Sequence, residues 1–107
     1  MRKVIFEGDT LEVIRQLPDA ARHRAGYEID RVQRDKGPEN WKPFNSIGQG
    51  VREIRIQIDG QYRVIYITKF GDRVHVLHVF RKKTQKTRKA DIELAKSRLK
   101  EVLRRYR

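Results

Sequence analysis

The chain has no cysteine, so disulfides and thiolate chemistry are both excluded. It has only two serines, Ser46 and Ser97, and no histidine lies near either in sequence, so a serine triad is not expected. Glycine-rich phosphate loops are missing as well: Gly48-Gln49-Gly50 lacks the lysine and helix that follow in a P-loop. No group of acids has the pattern of a magnesium-dependent nuclease, where several carboxylates converge. His75 and His78 are three apart in a strand-like run, which predicts opposite faces and no shared metal. Long apolar runs are absent. The N-terminal MRKVIFEGDTLEV has three consecutive apolar residues before Glu7 and Asp9, too few for a secretory signal, and nothing elsewhere is long enough to span a bilayer. The expectation is a soluble, cytoplasmic protein with no membrane partner.

What the chain does have is positive charge. Its 107 residues suit one domain, and 26 Lys and Arg against 14 Asp and Glu leave a net charge of +12. That charge favours polyanionic partners, with nucleic acid first and an anionic membrane surface or acidic protein next. The apolar runs are too regular for a disordered basic protein.

Periodicity predicts an α+β domain of order β-α-α-β-β-β-α. Lys3 to Phe6 reads as a strand, and Asp9-Thr10-Leu11-Glu12 has the spacing of a capping box opening a helix with Leu11, Ile14 and Leu17 on one face. Pro18 stops that helix or starts the next, which Asp19 caps and which runs to Lys36 with Ala21, Ala25, Ile29 and Val32 at helical spacing. Gly37-Pro38 ends it. The two helices should form a hairpin on one side of a sheet. In the loop 38–50, Trp41 and Phe44 are expected to pin the segment to the body; the alternative is that one of these rings stacks on a base. Ile54, Ile56 and Ile58 alternate with Glu53, Arg55 and Gln57, Asp59-Gly60 signals a hairpin, and Tyr62 to Lys69 returns. After a turn at Gly71-Asp72 comes VHVLHVFRKKTQKT, a valine-rich strand running into a cation cluster. Lys89 to Tyr106 is a last helix, with Thr87 as its N-cap and Tyr106 on its apolar face.

The candidate site is therefore basic. Arg55, Arg63 and the Arg81-Lys82-Lys83 run with Lys86 lie in or after three strands expected to pair. Any one of these cations could be an ordinary solvated charge on a sheet edge. As a set they repel one another unless an anion is expected. RNA suits such a site, because its 2′-hydroxyl attacks the adjacent phosphate once a base takes its proton and cations hold the phosphate oxygens. A lysine crowded by cations is easier to use as that base.

The runs VREIRIQIDGQYRVIYI and VHVLHVFRKKTQKT, with ELAKSR in the terminal helix, resemble the RelE/HigB superfamily of type II toxins. The resemblance is closest to the phage-derived HigB-like branch, and FRKKTQKT is its most specific part. It implies a small twisted antiparallel sheet with an N-terminal helical hairpin and a C-terminal helix. It also implies a ribosome-dependent mRNA endonuclease that needs no metal or other cofactor. Carried over position by position, Arg63 becomes the transition-state charge stabiliser and Lys82 or Lys83 the proton acceptor, with Arg55 beside them. Arg81, Lys86, Arg52 and Lys69 would contact RNA. The implied partners are a neighbouring antitoxin with a helix-turn-helix domain, the ribosome and mRNA. Two departures stand out: Arg88 replaces the proline that commonly follows the KT pair, and the C-terminal tyrosine or histidine of some relatives has no clear match. The superfamily also holds ParE-type gyrase inhibitors, and a non-catalytic RNA-binding module would suit the charge equally.

Overall fold

The computed structural model describes residues 1–106. Along the chain it forms β1 (Lys3–Phe6), α1 (Thr10–Arg15), α2 (Asp19–Gln33), β2 (Trp41–Pro43), β3 (Arg52–Gln57), β4 (Gln61–Ile67), β5 (Arg73–Arg81) and α3 (Lys89–Arg105). The five strands make one sheet in the order β1-β5-β4-β3-β2. The β3-β4-β5 meander is antiparallel, as its turns predict. At the first turn Asp59 and Gly60 both take positive φ, which an Asp-Gly pair tolerates.

Two features depart from the sequence reading. The sheet is mixed, because β1 runs parallel to β5. No tight turn constrains β1: two helices carry the chain away over one face, and β1 takes the open edge of β5. The other departure is β2, a short strand within the loop expected at 38–50, which pairs antiparallel with β3. β3 would otherwise present unpaired backbone groups, and Pro43 is tolerated because β2 is an edge strand. Trp41 consequently stays exposed; Ile47, with Phe44 packed beside it, anchors the loop instead.

The layers follow from alternation. Ile54, Ile56, Val64, Val74 and Val76 meet Ile14, Ala21, Ala25 and Val32 of the helical hairpin. On the opposite face Ile65, Ile67, Leu77 and Phe80 meet Ala95, Leu99 and Val102 of α3. Strict alternation breaks once, between β4 and β5: Ile65 pairs with His78 but Tyr66 with Val76, so Leu77 is an extra residue. Beyond this bulge the pleat of β5 is shifted by one. His75 and His78 therefore face the same side, toward α3, and their expected opposition is corrected. They still hold separate partners: His75 meets Glu7 at 2.8 Å and the Tyr106 hydroxyl at 2.9 Å, while His78 meets Asp91 at 2.7 Å.

The helix ends also differ from the sequence reading. Asp9 precedes α1 but makes no capping bond, and its carboxylate instead takes Arg98 of α3 at 2.7 Å. Pro18 rather than Asp19 precedes α2, which ends at Gln33, and Arg88 rather than Thr87 precedes α3. Tyr106 is not core: it is partly exposed, stacked on Phe70 with ring centres 5.0 Å apart.

Arg98 has a second task. It donates to the carbonyl of the bulged Leu77 at 3.0 Å, a group that the register shift takes out of the regular ladder. Arg98→Met should leave that carbonyl unpaired at a cost of about 1–3 kcal/mol, measured by urea melts. The Asp9 contact should show in the pH dependence. Its hydrogen bond and ion pair with Arg98 hold the Asp9 carboxyl below the ordinary aspartate range. A lowered folded pKa means the contribution is present at neutral pH and is lost as pH falls through that lowered value. Asp9→Asn should flatten the acid limb of the stability profile there.

Candidate nucleic-acid interface

β3 and β4 place Arg55 directly opposite Arg63 on the face that α3 covers, and β5 sets Phe80 on the other side of Arg63. Two guanidinium groups side by side repel, and the structure answers with one carboxylate. Glu53, two residues before Arg55 and on the same face, lies 3.3 Å from the Arg55 Nε and 3.5 Å from the Arg63 Nε. Arg52, next to Glu53 in sequence, turns to the helical-hairpin face opposite Tyr66, so Arg63 rather than Arg52 is the second arginine on this carboxylate.

Arg63 does not stand out into solvent. Only 5 % of it is exposed, and it donates to the Tyr62 carbonyl at 3.0 Å while its Nε lacks a partner of normal hydrogen-bond geometry. Burial lowers its pKa, Glu53 raises it and Arg55 lowers it again, though an arginine remains charged throughout. Arg55 is more open, with a quarter of its side chain exposed. It borders a cleft of about 270 Å³ shared with Arg24, Asn40 and Gln57.

Lys82 continues the β5 ladder, its N–H donating to the Gln61 carbonyl at 2.7 Å. Two positions beyond Phe80, it falls by alternation on the same side as Arg63. Lys83 and Lys86 follow in an exposed turn. The remaining residues are not gathered here. Arg81, opposite Tyr62, falls with Arg52 on the helical-hairpin face. Lys69 follows the far end of β4, six residues and about 20 Å along the chain from Arg63.

The site residues expected from the sequence leave out the group beside this cluster. His78 is buried, stacked on Phe80 with ring centres 5.0 Å apart, and its Nε2 is held by Asp91 at the start of α3. The Leu-His-x-Phe spacing was the available signal, but without the bulge it does not put His78 and Phe80 on Arg63's face. His75 and Tyr106 lie at the other end of β5, opposite Ile67, about 17 Å from the Phe80 level. Among the described residues no three His, Asp or Glu side chains group as metal ligands, and no helix is long and apolar enough to cross a membrane.

Glu53→Gln removes the one acid shared by both arginines. It should destabilise by about 1–3 kcal/mol, because Arg63 is left covered and without a counter-charge. Arg55→Gln, which leaves the Glu53–Arg63 contact in place, should cost less in the same denaturant melts.

Comparison with curated proteins gives no match. A family model, that of phage-derived Gp49-like proteins, matches residues 12–100, which takes in both the helical hairpin and the basic cluster. The chain belongs to this Gp49-like family, a toxin-like family of the RelE group.

Proposed function

We propose that this protein is the toxin of a type II toxin-antitoxin pair, of the HigB-like branch, and that it cleaves mRNA on the ribosome. The observation that carries the reading is the Arg55–Arg63 cross-strand pair, which shares a single carboxylate where the Arg81-Lys82-Lys83 run leaves the sheet. Two guanidinium groups, one acid and the following lysines leave a surplus of positive charge on a rigid support. A phosphodiester is the anion that such a surplus fits.

In this reading Arg55 meets the scissile phosphate first. Arg63 supplies fixed positive charge behind it, from a position that is itself covered from water. Lys82 or Lys83 takes the proton of the 2′-hydroxyl, and the oxygen attacks the adjacent phosphorus. The leaving 5′-oxygen acquires a proton, and a 2′,3′-cyclic phosphate remains. No metal enters the scheme. The cognate antitoxin would mask the basic face, and a helix-turn-helix domain on it would give the pair its own DNA contact. The ribosome is the other partner, in the cytoplasm, and its phosphates make the association steeply dependent on salt.

Expression with and without the adjacent antitoxin gene, followed by mapping of mRNA 5′ ends, tests the reading. In-frame cuts that need translation are expected. Arg63→Ala and Lys82→Ala should each lower the cleavage rate by roughly 10²-fold or more while ribosome co-sedimentation is largely kept. DNA breaks with intact mRNA would instead identify a gyrase inhibitor. Ribosome or RNA binding without any cleavage would identify a binding module.

A further inference from the structure

A second basic site lies on the opposite face of the sheet. Its centre is a cleft of about 430 Å³, within the range of small-ligand sites, between the end of α2, β2 and the far end of β4. Trp41 and Arg52 form one wall, with the Arg52 guanidinium 4.3 Å from the indole centre. Trp41 is 38 % exposed, so a large aromatic surface stays in contact with water at the edge of the sheet. Arg2 and Asp35 neutralise each other at 3.0 Å on the rim. Lys36 also lines the cleft, and among the described residues neither it nor Arg52 has an acidic partner.

The floor holds the least expected group. Tyr66 is 2 % exposed, lines the cleft, and its hydroxyl has no hydrogen-bond partner of normal geometry. Burial raises its pKa; Arg52 works in the opposite direction, by a loose contact with the hydroxyl oxygen and by its charge. An arginine can only donate, so the hydroxyl proton is left without an acceptor. Buried hydroxyls are ordinarily satisfied, and one left open within a cationic, aromatic cleft points to a ligand that supplies the missing partner.

We infer that this cleft binds one nucleotide of a single-stranded nucleic acid, with the base on Trp41 and the phosphate held by Lys36 and Arg52. The Tyr66 hydroxyl donates to the same nucleotide. A stacking ring flanked by arginine is the usual platform for single strands, because every base has a π-face and arginine adds a cation–π contact. An acidic peptide would satisfy the cations but would leave the exposed indole without a use. The inference extends the proposed function by giving the RNA a second hold away from Arg55 and Arg63, but it does not require cleavage.

Trp41 is the only tryptophan, so its fluorescence reports on this cleft alone. The whole chain is titrated with 5′-AMP and with a 2′-O-methyl hexanucleotide, which lacks the free 2′-hydroxyl needed for cleavage. Inorganic phosphate and polyglutamate serve as comparison probes. Quenching by the two nucleotide probes, at concentrations at least tenfold below those at which phosphate or polyglutamate acts, is the expected result. Arg52→Gln should weaken hexanucleotide binding by roughly five- to hundredfold. Tyr66→Phe is the sharper test: it removes an unsatisfied buried hydroxyl, so its melting temperature should hold or rise while binding weakens severalfold.

Absence of quenching overturns the inference. So does equal response to phosphate or polyglutamate, which would indicate plain charge attraction or an acidic protein partner, and so does a Tyr66→Phe variant that binds like the parent. Quenching without mRNA cleavage would retire the nuclease reading and keep the cleft; cleavage without quenching would do the reverse.

Discussion

The β4–β5 ladder, with its single bulge at Leu77, is the constraint on which the rest of the molecule depends. β5 is covered on both faces, and every side chain after the bulge is turned relative to what a regular strand would give. His78 and Phe80 face α3 because of it, and so does the position of Lys82. In a regular strand, Lys82 would fall on the helical-hairpin side, away from Arg63. The bulge also leaves the Leu77 carbonyl to Arg98, and Arg98 in turn holds Asp9 at the start of α1. One irregularity thus aligns the basic face and ties the last helix to the first.

Charge is handled in two different ways on the two faces. Beside α3, Arg63 is nearly covered and depends on Glu53, a carboxylate it shares with Arg55. Burying a guanidinium is costly without such a partner, so Glu53 makes the arrangement stable as well as less repulsive. On the hairpin side, Arg52 leans on the Trp41 ring, where the π-face takes the role of the missing acid. Arg63 is held in a fixed place by its surroundings, while Arg52 stands at the rim of an open cleft. A rigid buried charge suits stabilisation of a reacting phosphate, and an accessible one suits the capture of a flexible strand.

The C-terminal helix is held by polar contacts as much as by its apolar face. Asp91 takes His78, Arg98 takes the bulge, and Arg105 reaches Glu7, so polar contacts about two turns apart follow β5 along its length. A helix fastened in this way shields Phe80 and His78 beside the basic cluster. Its placement therefore bears on the site even though its own side chains add little positive charge to it.

Alternation and turn chemistry by themselves determined most of the fold: the Ile54/Ile56 face, the Asp59-Gly60 hairpin, the helical hairpin and the terminal helix are local patterns that survive any tertiary context. The cations of the last strand were legible too, as was the family likeness of the Tyr-Arg and Lys-Lys-Thr runs. Tertiary structure alone decided the rest. Parallel pairing of β1 and the addition of β2 are choices between distant backbone edges, and nothing in Lys3–Phe6 or Trp41–Pro43 encodes a partner. Asp9 became an ion-pair partner instead of a cap because Arg98, 89 residues away, folds against it. Which face Arg81 and Lys82 take was likewise settled by one extra residue in β5, since side-chain direction depends on accumulated register, and register is a property of paired strands.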